Sequence, residues 1–194
     1  MKREEALKLV HEMLQNPNLV KHCLAVEAIM LVLAKDLRAE HPELPESEFD
    51  EEKWGVVGLL HDADYEITGK DLSRHTVVME EKLREMGAPE SIINGVKAHS
   101  ETIKPSRENF MEKAVWACDE LSGLITAVAL VRPDKKLASV EVRSVMKRFP
   151  EKSFAAGAKR EQIAKGAQEL GYSLEEFVTI ALKAMQGIAG ELGL

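Results

Sequence analysis

An all-α fold, a helical bundle with a C-terminal helical extension, is what the sequence predicts, and three observations predict it. Long stretches of Ala, Leu, Glu, Lys, Met and Val, mostly good helix formers, run between only 7 prolines and 12 glycines. Residues suited to capping or stopping a helix fall at the ends of these stretches. The one segment whose pattern fits a buried strand, WGVVGLL at 54–60, has no partner strand elsewhere in the chain.

The elements follow in order. Residues 2–15 form a short amphipathic helix that ends at Asn16-Pro17-Asn18. Asn18 caps the next helix, roughly 19–40, with apolar positions at Leu19, Cys23, Val26, Met30, Leu33 and Leu37. HPELPESEFD, 41–50, is a loop whose last residue, Asp50, caps a helix over 51–63. TGK, 68–70, turns the chain, and a helix over 71–86 stops at Gly87 in the C′ position. Pro89 opens a helix that runs to about His99. After a loop at 100–106, a long helix spans about 107–131 and stops at RPDKK. Further helices lie near 138–149, 159–170 and 174–189, the last opening on SLEE, a capping box. Residues 1–132 are expected to form the core, with 133–194 as an extension packed on it.

A chain of 194 residues can bury roughly 70% of its unfolded surface, so it needs no covalent staples. Two cysteines, Cys23 and Cys118, make no disulfide framework and predict reduced thiols and a cytoplasmic setting. The opening MKREEALKLVHEML has no signal-peptide pattern, and no run is expected to approach the roughly 18 apolar residues of a membrane span. A net charge of −7 argues against non-specific nucleic-acid binding. It leaves room for a small phosphorylated ligand, which needs only local positive charge.

GLLHDADYE, 58–66, carries an apolar run straight into a histidine and three carboxylates. His61-Asp62 alone reads as a helix end meeting water. Other residues of ligand type change its weight. His22 shares an apolar helix face with Leu19, Val26 and Ile29, so it is either a core histidine bonded to a carbonyl or a metal ligand. Asp119 lies on a mostly apolar face with Val115 and Trp116, and Ser122 and Gly123 one turn on leave space beside it. A lone buried carboxylate is costly, so it needs a salt bridge or a metal. His75 shares a predicted face with Leu72, Val78 and Met79, and His99 with Ile92 and Val96. His11 and His41 lack such a setting. One divalent ion would satisfy several of these groups together, and mixed imidazole and carboxylate ligation suits Mn, Fe, Co, Ni or Zn better than Mg.

The order His22, His61-Asp62, Asp119, each on its own predicted helix, resembles the HD superfamily of metal-dependent phosphohydrolases. VKHCLAVEAIM looks like the first ligand helix, WGVVGLLHDADYE like the HD helix and AVWACDELSGLI like the last aspartate helix. The intervening SRHTVVMEEKLREMGAPESIINGVKAHSE is similar to branches that carry two extra histidines and hold two metals. HDADYE departs from the HD-Ile-Gly version common in the superfamily and looks more like a bacterial branch of hydrolases. The match spans about 18–130 and carries no function to 133–194.

The resemblance implies an HD-domain bundle that hydrolyses a nucleotide or other small phosphate ester through a metal-activated water. His22, His61, Asp62 and Asp119 would hold the main ion. His75 and His99 would hold a second ion bridged by Asp62, or bind phosphate and protonate the leaving group, which makes Asp62, His75 and His99 the catalytic set. Asp64 or Glu66 would orient a ligand histidine, with a solvated loop acid the favoured reading of Glu66. Arg74, Lys104 and Arg107 are the expected phosphate contacts. Two other readings share the ligands: a di-iron oxygenase of the same superfamily, and a non-catalytic nucleotide sensor.

Overall fold

The computed structural model describes residues 1–69 and 71–194, and among these it has ten α-helices and no strand. They are α1 (Arg3–Met13), α2 (Pro17–Glu40), α3 (Glu51–Leu60), α4 (Val77–Glu85), α5 (Glu90–Ala98), α6 (Phe110–Leu130), α7 (Val142–Arg148), α8 (Arg160–Glu169), α9 (Leu174–Gly187) and α10 (Ala189–Leu192). Single 3₁₀ turns occur at Glu46–Phe49, inside the predicted 41–50 loop, and at Leu137–Ser139.

The 24 residues of α2 make a rod of about 36 Å that packs against α3, α6 and α9. By length and composition α2 is apolar enough to cross a membrane, contrary to the expectation that no run approaches that. One face of it packs into protein instead: Cys23, Val26, Ile29, Met30, Leu33 and Leu37 are all fully buried, while Val32 is exposed. The same helix buries Glu27, whose carboxylate accepts from Arg3 Nε at 2.6 Å and Nη2 at 2.9 Å, fastening α1 to it. A buried acid survives there because a planar guanidinium meets both oxygens.

Around α2, α5 bridges α3 and α6 and carries α4 on its far side, while α8 lies along α6 and touches α9. One apolar core runs without a break from Ala6 to Leu192. Side chains of the C-terminal helices tie them down: Tyr172 donates to Asp36 Oδ2 at 2.7 Å, and Gln186 Nε2 donates to the Leu137 carbonyl at 2.9 Å.

The helix ends differ from expectation in several places. Asn16, not Asn18, caps α2: its side chain accepts the Asn18 N–H, and Pro17 takes the first helical position, where a missing N–H costs nothing. The helix from Asp50 ends at Leu60, and His61 to Gly69 continue as turns. The helix predicted over 71–86 starts only at Val77. Asp71 accepts from both the N–H and the hydroxyl of Ser73, which holds this stretch in turns, and Leu72 is exposed. The predicted 68–70 turn ends on a residue outside those described. At the other end of α4 the stop is as expected: Gly87, φ +68°, donates to the Arg84 carbonyl, and the Ala88 N–H to the Leu83 carbonyl. Pro89 precedes the first residue of α5 rather than occupying it. The capping box at Ser173 and Glu176 opens α9 as predicted.

Candidate metal centre

Four packed segments aim the ligand-type residues at one point. His22 lies in the second turn of α2, His61 and Asp62 follow the last residue of α3, His99 follows α5, and Asp119 is midway along α6. Two glycines let these helices close. A Cβ on Gly58 would stand 2.8 Å from the Glu27 Cα, and one on Gly95 would stand 2.8 Å from Val57 Cγ2. Each glycine sits about one turn before a histidine of the cluster, His61 or His99. The close approach of α3 to α2, and of α5 to α3, therefore sets how near those imidazoles come.

All four histidines use Nδ1 for anchoring. His61 Nδ1 donates to the Gly58 carbonyl at 2.8 Å and His99 Nδ1 to the Val96 carbonyl at 2.7 Å. A carbonyl only accepts, so these rings carry their proton on Nδ1 and, when neutral, turn a lone pair inward at Nε2. His22 Nδ1 meets Ser122 Oγ at 3.1 Å, and that hydroxyl donates to the Asp119 carbonyl at 2.9 Å. His75 Nδ1 donates to Asp64 Oδ1 at 2.8 Å. The other oxygen of Asp64 accepts the Met79 N–H at 3.0 Å, so this fully buried carboxylate also caps α4.

The inward atoms form two groups, each with its members within 4.8 Å of one another: His22, His61, Asp62 and Asp119, and Asp62, His75 and His99. In the first, His22 Nε2 lies 3.1 Å from His61 Nε2, 3.4 Å from Asp62 Oδ2 and 3.1 Å from Asp119 Oδ1. His61 Nε2 lies 3.7 Å from Asp62 Oδ2 and 3.8 Å from Asp119 Oδ1. Ligands about 2.1 Å from a shared ion stand about 3.0 to 3.4 Å apart in octahedral or tetrahedral geometry, so this set fits a divalent metal with slight contraction. In the second group, Asp62 Oδ1 lies 3.2 Å from His75 Nε2 and 3.4 Å from His99 Nε2, which are 2.7 Å from each other. Asp62 thus gives one oxygen to each group.

Converging lone pairs and carboxylates need a cation between them, and protons are the cations available to the metal-free protein. Burial would lower the pKa of His22, but Asp119 and Asp62 outweigh it and raise it to about 10. His75 behaves alike: burial lowers it, and Asp62 and Asp64 raise it to about 9. Burial would raise Asp62, yet His61 and the hydrogen bonds from His22, His75 and His99 hold it well below the usual carboxylate range. Asp119 is also depressed, burial being overcome by His22 and His61.

His75 reaches the cluster by a different route from the one predicted. It stands on the turn before α4, not on a helix face, and Thr76 beside it is buried with φ +70°. A β-branched residue there is strained, and its hydroxyl has no hydrogen-bond partner among the described residues. Asp64 has taken over the capping role the Thr76 side chain would otherwise fill.

Of the three expected phosphate contacts, two are engaged elsewhere. Lys104 pairs with the buried Glu112 at 2.7 Å. Arg107 donates to the Ala98 carbonyl at 3.0 Å and lies 4.0 Å over the Trp116 ring. Arg74 is exposed on the turn before His75. Glu66, expected to be a solvated loop acid, accepts the backbone N–H groups of Gln15 and Asn16 at 2.6 and 3.0 Å. Ser122 entered the sequence reading only as a small residue beside Asp119; its place as a polar residue on an apolar face was the available signal. Tyr65, edge-on to His75 at 5.5 Å between centroids, had no such signal.

A family model described as HD domain matches residues 19–147, well over half of the 194-residue chain. No curated protein and no solved structure matches it.

Proposed function

The chain belongs to the HD-domain family, the domain of a superfamily of metal-dependent phosphohydrolases, and on that premise we propose that it hydrolyses a nucleotide or other small phosphate ester. The observation that carries the reading is the convergence of four Nδ1-anchored imidazoles and two carboxylates, with Asp62 shared between the two groups. His22, His61, Asp119 and one oxygen of Asp62 would hold one divalent ion, and His75, His99 and the other oxygen of Asp62 would hold a second. Bound there, divalent ions supply a nucleophilic water at neutral pH and neutralise charge on phosphoryl oxygens. Asp64 fixes the His75 ring by its Nδ1 proton and makes the Nε2 lone pair more basic towards an ion. Ser122 does the same for His22. Of the three expected phosphate contacts, Arg74 is the candidate whose side chain has no bond among the described residues to give up. Two free, buried cysteines support a reducing, cytoplasmic setting.

A carboxylate shared by two donor groups equally suits a di-iron oxygenase, and one panel separates the readings. Chelator-stripped protein is reloaded with Mn, Co, Ni, Mg, Zn or Fe and offered phosphomonoesters and phosphodiesters, with phosphate release and oxygen uptake both followed. Phosphate release in at least one metal supports the hydrolase. Oxygen uptake by the iron form with no hydrolysis in any metal replaces it with the oxygenase. Tight nucleotide binding with neither product leaves a sensor.

A further inference from the structure

A cleft of about 690 Å³ opens between α6 and the segment 149–165, all of which lies beyond the family-matched residues. That volume suits a small organic ligand. Trp116, Phe149 and Pro150 give it an aromatic and apolar lining, and Lys152 and Lys165 stand exposed at its edges. Arg160 builds the roof: its guanidinium donates to the carbonyls of Phe149 at 3.2 Å, Ala155 at 2.8 Å and Ala158 at 2.6 Å. A loop with no regular structure is thereby held open over α6.

Two observations point to a ligand. Trp116 Nε1 and Gln162 Oε1, a donor and an acceptor on residues that line the cleft, are buried and lack any hydrogen-bond partner among the described residues. Unpaired buried polar atoms are costly, and here one donor and one acceptor occur on residues lining the same cleft. Besides the Arg107 guanidinium at 4.0 Å, the indole carries a displaceable group, the flexible Lys165 ammonium 5.7 Å over its ring.

The cleft wall is built from residues next to the clustered ones in the chain: Trp116 stands about one turn before Asp119 on α6. Glu101, in its wall, is two residues past His99. Lys159, also in its wall, gives its N–H to Glu120 at 3.0 Å, and Glu120 adjoins Asp119. From there α8 follows α6 away from the centre, with Gln162 Nε2 donating to the Trp116 carbonyl at 2.6 Å.

We propose that this cleft binds the non-reacting end of the substrate, a planar ring with a hydrogen-bonding edge, while the phosphate of the same molecule lies at the metal centre. The proposal rests on the phosphohydrolase reading and narrows its substrates to aryl or heteroaryl phosphates, of which a nucleoside monophosphate is one. The ring displaces Lys165 from the indole, and its polar edge pairs with Trp116 Nε1 and Gln162 Oε1.

Adenosine 5′-monophosphate and ribose 5-phosphate test it, since they share a phosphate and differ by the ring. In zinc-loaded, ¹⁵N-labelled protein the two indole N–H resonances are followed during titration with each. The Trp116 signal should move with adenosine 5′-monophosphate and stay with ribose 5-phosphate, while Trp54, bonded to the Glu48 carbonyl, stays in both. Ala156→Trp, at an exposed lining position, should raise KM for adenosine 5′-monophosphate by about tenfold or more and leave ribose 5-phosphate kinetics unchanged. Hydrolysis of both compounds with an unmoved Trp116 signal and no discrimination by Ala156→Trp overturns the cleft and spares the hydrolase. A moved signal with no hydrolysis in any metal supports ring binding there and contradicts the hydrolase.

Discussion

His22, His61 and Asp119 project from α2, α3 and α6, helices that pack against one another in the core, whereas His75 stands on a run of turns and relies on Asp64 to hold it. Both groups share Asp62, and both bring their atoms to similar separations. Their supports are unequal. The first is built into close helix packing, enforced at Gly58 by backbone contact. In the second, His99 has similar support at the end of α5, but His75 depends on one buried carboxylate beside a strained Thr76. Segments with exposed turns open more readily than packed helices. The first group should therefore hold its ion more tightly and release it later as chelator is raised.

Breaking the shared residue should have the largest effect. Asp62→Ala removes an oxygen from both groups and is expected to lower turnover by well over 100-fold and bring metal content below one ion per chain, with helical circular dichroism retained. Full metal content and wild-type turnover in that variant would dismiss the assignment. Asp64→Ala should cost about 10- to 100-fold in affinity for the second ion and leave the first in place, which a chelator titration resolves as one shifted step of two. Equal loss from both steps would mean the two supports are not independent. Gly58→Ala drives a methyl group against the Glu27 backbone and should cost about 1–3 kcal/mol of stability, seen in urea unfolding, with metal affinity at the first group falling more than at the second.

The smallest effect is in pH. His22 and His75 are raised to about 10 and about 9 in the metal-free protein. A raised imidazole stabilises the fold fully below the unfolded value, about 6.5, and that contribution is lost as pH rises through the folded values. The metal-free protein should thus lose stability between about pH 7 and 10, and the loaded protein should not. Metal must displace those protons, so loading at pH 8 should release them, measurable with an indicator dye, and activity should fall below about pH 6 as ions leave. A metal-free unfolding midpoint that stays flat from pH 7 to 10 would contradict the proton-filled cluster.

Legibility in the sequence follows the same division. Ligands on regular helices were readable, because a histidine or aspartate on an apolar 3.6-residue stripe has few alternatives to a buried partner. The helix assigned through 71–76 was misplaced because His75 and Val78 lie three apart, a spacing that a turn leading into a helix also produces. Thr76 gives no hint of a positive φ, which its sequence neighbours do not require and Asp64 makes possible from a distance. Lys104 and Arg107 looked like free cations near the ligands; Glu112 and Trp116, which claim them, lie on α6, and only folding brings those surfaces together. The cleft under 149–165 had no signature at all, since Arg160 holds its roof through backbone carbonyls, and any sequence has those.

Metal content of the wild type and of His99→Ala, loaded to saturation and measured by elemental analysis, tests the two-group centre most directly. The account predicts two ions per chain in the wild type and about one in His99→Ala, with His22, His61, Asp62 and Asp119 retaining theirs. One ion per chain in both proteins, with activity lost only in the variant, would contradict it and make His99 a substrate or proton-transfer residue beside a single ion.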